Sequence, residues 1–283
     1  MFPQPVHYRK FKCGILQQII MIFGFFDSDG LKLRYFESGV GEPLILVHGL
    51  GGCIEAWTAQ LEDFAREFRV IALDLRGFGM SDVPERISIE DFADDIHHLM
   101  DHLGIERATI LGHSMGGIVC MEFYRKYPER VKSLILANTF HKLPEQVRKE
   151  FEQRLKILEA SPDMTQIARF ISEISLYQKR EELRELVETI IRKNNKDAYT
   201  AATSELAKAD YESLLPNIRV PVLVITAEHD VTTPPAFGEA IARLVPGSTA
   251  RRISNAAHLA MLENPDEFNS AVIEFLKNVH GQR

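Results

Sequence analysis

The sequence predicts an α/β protein in which a mostly parallel sheet is flanked by helices and carries an inserted helical segment. Apolar runs typical of buried strands alternate with helical patterns from residue 44 to residue 137, and this alternation favours parallel strands joined by right-handed helical crossovers. Residues 139–213 show no convincing strand pattern, and the alternation resumes at residue 214. We therefore divide the chain into a core of residues 22–138 and 214–283, with residues 139–213 inserted between its two parts.

The composition is that of a globular domain. Of the 283 residues, 45% are hydrophobic and 26% are charged, and the formal net charge is −7, which disfavours binding to nucleic acid. The three cysteines, Cys13, Cys53 and Cys120, are odd in number and widely spaced. Neither a disulfide framework nor a cysteine metal site is expected, and a reducing compartment is favoured.

The N-terminal residues loosely resemble a secretion signal. Basic residues precede an apolar run within residues 1–26, but no small-residue cleavage site follows, and the run is too short to span a bilayer. We therefore predict residues 1–21 as an extension of uncertain order, no stable membrane span and a cytoplasmic location. Secretion, or peripheral membrane association through residues 1–26, is the alternative that the pattern leaves open.

The first part of the core is predicted from its apolar runs and turn residues. Residues 22–26 and 31–37 flank a glycine-containing turn and predict a β-hairpin. Continuous apolar runs predict four buried strands, at residues 44–47, 70–73, 108–111 and 131–137. Helical spacing of apolar residues predicts three helices, at residues 57–68, 88–103 and 118–126.

The inserted segment and the second part of the core follow. Charged amphipathic patterns predict four helices in the insertion, at residues 143–158, 164–174, 180–192 and 197–209. Two further strands and two further helices complete the core, with the strands at residues 220–226 and 249–253 and the helices at residues 235–244 and 265–279.

Ser114 is the candidate nucleophile. With Gly112 and Gly116 it forms a G-x-S-x-G pattern between a predicted strand and a predicted helix, the context of a serine raised on a tight strand-to-helix turn. The glycines have a steric reason, because bulky residues two positions away would collide on such a turn. The glycine-rich loop His48–Gly52 follows another buried strand and can offer free backbone N–H groups to an anion.

A nucleophilic serine needs a general base, and the base needs an orienting carboxylate. Asp230 follows the strand predicted at 220–226, and His258 follows the strand predicted at 249–253. Both are therefore expected near Ser114 at the carboxyl edge of the sheet, in the chain order Ser, Asp, His. Glu228 is an alternative acid two residues before Asp230.

Three histidines cluster on the helix predicted at residues 88–103. His98 and His102 are four residues apart, with His97 beside them, so a metal site is conceivable. No water-activating glutamate accompanies them in a known pattern, and a solvated helix face is the favoured interpretation. We predict no metal and no cofactor for this chain.

Together these motifs resemble those of α/β-hydrolase-fold proteins, over about residues 22 to 280. The resemblance implies an eight-stranded, mostly parallel sheet, and it makes the insertion a helical cap over the substrate. In the acid loop Ala227 stands where the family usually has glycine. Five segments carry the resemblance: His48-Gly49-Leu50-Gly51, Asp74-Leu75-Arg76-Gly77-Phe78-Gly79-Met80-Ser81, Gly112-His113-Ser114-Met115-Gly116, the Asp230 loop, and His258 followed by Glu263-Asn264-Pro265.

The resemblance also implies a role for each site residue. Ser114 would attack a carbonyl carbon, and His258 would take the serine proton and return it to the leaving group. Asp230 would orient the imidazole of His258. The backbone N–H groups of Leu50 and Met115 would form the oxyanion hole.

The substrate pocket is predicted beneath the cap. Four residues are its candidate lining, each with ordinary core packing as the alternative: Trp57, Phe140, Leu143 and Leu259. We expect a small-molecule ester or lactone as the partner, whereas the pattern leaves the oligomeric state open.

A serine at the nucleophile position favours hydrolysis of a carboxylic ester or lactone over the reactions of epoxide hydrolases and haloalkane dehalogenases, which need a carboxylate nucleophile. The phrase from Asn255 to Phe268 is similar to that of 3-oxoadipate enol-lactonases and their small-ester hydrolase relatives. Three alternatives stay open: a C–C bond hydrolase of aromatic meta-cleavage products, a cofactor-free haloperoxidase or perhydrolase, and a non-catalytic ligand-binding protein of the same fold.

Overall fold

The structure, a computed structural model, describes residues 21–143 and 145–281, with the backbone alone for residues 145–147. The extension predicted at residues 1–21 therefore lies outside the described residues except for Met21, which begins the first strand. Cys13 also lies outside them. The described cysteines, Cys53 and Cys120, are both free and buried.

One sheet of eight strands runs through the molecule in the order β1-β2-β4-β3-β5-β6-β7-β8. The first two strands pair antiparallel, β2 also pairs antiparallel with β4, and the remaining pairs are parallel. The predicted fold class is confirmed. The strands are β1 (Met21–Ser28), β2 (Leu31–Ser38), β3 (Pro43–Val47), β4 (Arg69–Leu73), β5 (Ala108–His113), β6 (Val131–Ala137), β7 (Val222–Ala227) and β8 (Thr249–Ile253).

Helices connect and cover these strands. Four of them, α4 to α7, lie between β6 and β7 in the segment predicted as an insertion; the domain boundaries themselves stay a prediction. The helices are α1 (Thr58–Ala65), α2 (Ile89–His102), α3 (Met115–Lys126), α4 (Glu145–Ala160), α5 (Thr165–Ser175), α6 (Glu181–Arg192), α7 (Lys196–Leu206), α8 (Pro235–Leu244), α9 (Ala260–Glu263) and α10 (Pro265–Gly281). Short 3-10 helices occur at Ile54–Trp57, Pro128–Arg130 and Leu215–Asn217.

Burial across the sheet explains the sequence pattern of each strand. Every residue of β5 and of β7 is buried, because helices cover both faces of the parallel region. The outer strand β8 exposes its first four residues. The parallel strands present their carboxyl ends together at one edge of the sheet.

Two helix starts show where local sequence and packing agree or disagree. Helix α2 begins after Ser88, whose hydroxyl accepts from the Asp91 N–H at 3.1 Å while Asp91 accepts from the Ser88 N–H at 2.9 Å, a capping box. Helix α3 begins at Met115, three residues before the predicted start. Gly116 lowers helix propensity, but a Cβ there would lie 2.2 Å from the carbonyl oxygen of Val47, so packing against β3 requires glycine.

The histidines of α2 take part in structural contacts. The Ser28 hydroxyl lies 2.9 Å from Nδ1 of His98 and donates to Asp95 at 2.7 Å. Asp95 in turn accepts two bonds from the Arg76 guanidinium, at 2.6 and 2.9 Å. His97 stacks on Tyr127 with ring centroids 4.2 Å apart. These contacts tie α2 to the sheet and to the loop after β4.

None of the helices within residues 21–143 and 145–281 is both long enough and apolar enough to cross a membrane.

Candidate active site

Ser114 sits on a strained turn between β5 and α3. Its φ of 53° and ψ of −116° lie outside the conformations that L residues ordinarily adopt. The turn is held by the Ser114 N–H, which donates to the carbonyl of Ala137 at 2.9 Å, and by the Thr139 hydroxyl, which donates to the Ser114 carbonyl at 2.7 Å. A Cβ on Gly112 would lie 2.1 Å from the carbonyl oxygen of Gly116, so the turn closes only with glycine at position 112.

His258 follows β8 and reaches the serine from the neighbouring loop. Its Nε2 lies 3.0 Å from the Ser114 hydroxyl oxygen, and its Nδ1 lies 3.0 Å from Oδ2 of Asp230. Because Nδ1 faces a carboxylate, which only accepts, the ring proton belongs on Nδ1. The lone pair of Nε2 then faces the serine hydroxyl, as a general base requires.

Asp230 follows β7 and is buried within a shell of donors. The N–H groups of Thr232 and Thr233 donate to its Oδ1 at 2.9 and 2.8 Å. The Thr233 hydroxyl and the Asn138 amide donate to Oδ2 at 2.7 and 2.9 Å. Burial alone would raise the pKa of Asp230, but the His258 imidazole and these donors outweigh it and hold the pKa below its usual range. The carboxylate is therefore ionised at neutral pH.

Glu228, the alternative acid, lies elsewhere. Its side chain is half-exposed and accepts from the Asn255 N–H at 3.1 Å. The structure places Asp230, and not Glu228, beside the ring of His258.

Sequence reasoning missed the three residues of this shell, Asn138, Thr232 and Thr233. Asn138 directly follows β6 and has a φ of 46°, a conformation that asparagine tolerates better than most residues. Asn138 could have been found from its position, because it follows the end of β6, the strand that lies between β5 and β7 in the sheet.

His113 packs beside the base and is neutral. Its Nε2 lies 2.7 Å from the carbonyl oxygen of His258, so it donates there, and the two rings are 4.8 Å apart. Burial, together with the nearby His258, lowers the pKa of His113 to about 3. His113 therefore positions the loop of His258 and does not serve as a second base.

The loop His48–Gly52 lies directly against the nucleophile turn. A Cβ on Gly49 would be 2.9 Å from His113 Nδ1 and 3.2 Å from the Ser114 Cβ. Leu50 lines the cavity above Ser114. Met115 is the first residue of α3, and the free N–H groups of a helix N-terminus favour negative charge. The two predicted oxyanion donors thus come from elements on either side of the serine.

His48 braces this loop. Its Nδ1 lies 2.8 Å from the carbonyl oxygen of Gly49, and its Nε2 accepts from the Leu75 N–H at 3.1 Å. These partners require the neutral ring with the proton on Nδ1. Burial lowers the pKa of His48 to about 4, which matches that state.

A cavity of about 610 Å³, including its mouth, opens onto Ser114 and His258. Leu259 lines it as predicted, whereas Trp57, Phe140 and Leu143 are not among its lining residues. The remaining lining residues come from the loop after β3 and the 3-10 helix that follows it, from the end of β5, from α4 to α7 and from α9: Gly49, Leu50, Gly52, Ala56, His113, Arg154, Ile171, Ser175, Val187, Ile190, Ile191, Tyr199, Met261 and Leu262.

The three predicted residues that lie outside this lining are packed into the core instead. Trp57 is fully buried and meets His113 edge-on, with ring centroids 6.5 Å apart. Phe140 packs edge-on against Phe151 at 6.4 Å. Leu143 is buried where its N–H donates to the carbonyl of Ala209 at 3.4 Å.

One described cluster has atoms close enough to hold a metal ion: Cys53, Glu55 and Asp74. The Arg34 guanidinium already occupies it, with nitrogens 2.6 Å from a Glu55 oxygen and 2.8 Å from an Asp74 oxygen. A second cation there would meet the positive charge of Arg34, so the donor set fits an internal ion pair rather than a metal.

The chain belongs to the alpha/beta hydrolase fold family, whose model matches residues 42–265. It is 30% identical to 3-oxoadipate enol-lactonase 2 of Acinetobacter baylyi over 90% of this chain and 98% of that one. It is 31% identical to a putative carbamate hydrolase of Azorhizobium caulinodans over 88% and 95% of the two chains. A solved thermophilic esterase from Thermogutta terrifontis, with malate bound, is 31% identical with a TM-score of 0.84, covering 91% and 99% of the two chains.

These relatives are named as a lactonase, a carbamate hydrolase and an esterase. They support the predicted class of this chain, an ester or lactone hydrolase. The predicted resemblance to the enol-lactonase and small-esterase branch is confirmed.

The buried neutral histidines predict how stability responds to pH. The pKa of His48 is about 4 and that of His113 about 3 in the folded chain, against about 6.5 when unfolded. Between these values the unfolded chain binds more protons, so stability falls as the pH falls. We expect each histidine to cost about 1.4 kcal/mol of unfolding free energy per pH unit below about pH 6.

Urea unfolding at pH 7, 6 and 5 measures this slope. The variant His48→Gln removes one titrating group, so its unfolding free energy should change less steeply with pH than that of the wild type. An equal or steeper slope in His48→Gln would contradict the assignment of a neutral His48.

Proposed function

We propose that this protein is a serine hydrolase that cleaves a small carboxylic ester or lactone through an acyl-enzyme on Ser114. The observation that carries the proposal is the continuous hydrogen-bonded chain from Ser114 to His258 to Asp230, with both contacts at 3.0 Å. Serine, base and orienting carboxylate in this geometry are what nucleophilic acyl transfer needs.

In the proposed mechanism His258 takes the proton of Ser114 as the hydroxyl oxygen attacks the carbonyl carbon. Negative charge develops on the carbonyl oxygen, where the N–H groups of Leu50 and Met115 stabilise it. His258 next donates the proton to the leaving oxygen, and the acyl-enzyme forms. A water molecule, deprotonated by His258, then attacks the acyl carbon, and His258 returns that proton to the Ser114 oxygen as the acid departs. Asp230 stabilises the imidazolium in both steps.

The comparisons and the cavity support ester or lactone substrates. The related enol-lactonase and esterase are named for lactone and ester hydrolysis. The cavity next to Ser114 is lined largely by apolar side chains with a few polar groups, the lining typical of sites for small organic molecules. Because one relative is a putative carbamate hydrolase, carbamate esters belong in any substrate panel.

The alternatives inferred from the sequence differ in measurable products. A C–C bond hydrolase would turn over a vinylogous diketone and leave short esters intact. A perhydrolase would form peracid from a carboxylic acid and peroxide. A ligand-binding protein would turn over none of them. A panel of short esters, lactones, carbamates, a ring-fission dienone, and a carboxylic acid with hydrogen peroxide therefore separates the proposed hydrolase from these three alternatives.

Ser114→Ala should abolish turnover of every panel substrate. Loss of the nucleophile is expected to lower kcat by at least about 1,000-fold, and a fluorophosphonate probe should label the wild type and not the variant. Ser213→Ala, on an exposed loop residue, is the matched control and should behave as the wild type. Activity retained in Ser114→Ala would refute the nucleophile assignment.

Asp230→Asn should fold normally and lose activity. The amide no longer holds the reactive tautomer of His258, so we expect kcat to fall by as much as about 10,000-fold. Glu228→Gln makes the same chemical change at the alternative acid and should leave kcat within about twofold of the wild type, given that surface contacts contribute little. Steady-state kinetics on one well-hydrolysed ester give kcat for both variants. A larger loss of kcat in Glu228→Gln than in Asp230→Asn would make Glu228 the acid that orients His258.

A further inference from the structure

Two buried polar side chains of α4 and α7 face the cavity, whose other lining from α4 to α7 is apolar except for Ser175. Arg154 on α4 and Tyr199 on α7 both line the cavity, and both are buried, with 5% and 0% of their surface exposed. Among the described residues, neither Nε of Arg154 nor the Tyr199 hydroxyl makes a hydrogen bond of good distance and angle to an acceptor. Buried donors are nearly always paired, so this pair calls for an acceptor that enters from the cavity.

The rest of the Arg154 side chain is already fixed. Its Nη2 donates to Glu150 at 2.6 Å, and the guanidinium carbon lies 5.3 Å from the Phe151 ring centroid. These contacts hold the guanidinium in place and leave Nε unused. A guanidinium that is positioned in advance loses little entropy when it binds an anion.

Tyr199 connects this point to the reaction centre. A Cβ on Gly51 would lie 2.6 Å from Cε2 of Tyr199, so the ring contacts the loop that also carries Leu50. At its other end the hydroxyl lies beside the Arg154 guanidinium: burial raises the pKa of Tyr199, and the charge and the N–H groups of Arg154 oppose that rise. The side chain of Tyr199 therefore extends from the loop His48–Gly52 to Arg154.

We propose that Arg154 and Tyr199 form a carboxylate-binding subsite, so that the substrate is an ester or lactone bearing a second, ionised carboxyl group a few atoms from the scissile carbonyl. One carboxylate oxygen would accept from Nε of Arg154 and the other from the Tyr199 hydroxyl. Glu150 already neutralises part of the positive charge, which favours a monoanion over a phosphate dianion. The inference rests on the proposed function for the position of the scissile bond.

Binding to the inactive variant Ser114→Ala tests the subsite without any turnover. The probes are monomethyl glutarate, with its carboxylate on the acyl side, and 4-acetoxybutanoate, with its carboxylate on the alcohol side. Each is paired with its neutral primary amide. By isothermal titration we expect at least one acid to bind at least about tenfold more tightly than its amide, the gain typical of a charge-assisted hydrogen bond.

Variants on the Ser114→Ala background assign that preference to residues. Arg154→Met should abolish it. Tyr199→Phe removes only an unpartnered hydroxyl and keeps the ring, so it should fold normally and retain part of the preference. Arg192→Met, which removes an exposed arginine on α6, is the matched control and should retain all of it. Equal binding of acid and amide in both pairs, or a preference that survives Arg154→Met in protein with native thermal unfolding, would overturn the proposal.

The wild-type enzyme separates failure of the subsite from failure of the proposed function. If it hydrolyses the neutral amide-esters in a Ser114-dependent way with no preference for the acids, the hydrolase proposal stands and the subsite is wrong. If the acids bind preferentially to Ser114→Ala but the wild type hydrolyses no ester or lactone, the subsite stands and the hydrolase proposal is wrong.

Discussion

The close contact between β5, α3 and the end of β3 at Ser114 is the constraint on which the rest of the site depends. The serine backbone has a φ of 53°, and packing on both sides, rather than local preference, must hold it there. Gly112 and Gly116 have no room for a Cβ. The same contact starts α3 at Met115, whose N–H is one of the two proposed oxyanion donors. The same packing contact therefore produces the backbone strain at Ser114, the start of α3 and the position of the Ser114 side chain.

The parallel sheet brings the other site residues to this point. Asn138 follows β6, Asp230 follows β7 and His258 follows β8, so three neighbouring strands each deliver one side chain to the carboxyl edge. The chain of bonds Asn138–Asp230–His258–Ser114 runs across the strand order. Because the strands are fixed by a buried core, the relative positions of these groups are set before any substrate binds, which is the preorganisation that electrostatic catalysis requires.

Sequence reasoning was sufficient for the sheet and for the residues at its carboxyl edge. Strand periodicity, glycine positions and chain order each depend on local chemistry, so Ser114, Asp230 and His258 could be identified one strand at a time. The pocket could not be predicted in this way. An amphipathic helix has an apolar face, but the sequence does not say whether that face meets a cavity or the core. Trp57 and Phe140, predicted to line the pocket, are buried in the core, whereas Arg154 and Tyr199, which nothing in the sequence sets apart, line it.

The central claim is that catalysis passes through an acyl group bound to the enzyme, and partitioning between water and methanol tests it most directly. Esters with one acyl group and different leaving groups would be hydrolysed in the presence of methanol, and the ratio of methyl ester to acid measured for each. A common acyl-enzyme predicts the same ratio for every leaving group, because the leaving group has departed before water or methanol attacks. A ratio that changes with the leaving group would contradict the acyl-enzyme and with it the role of Ser114 as nucleophile.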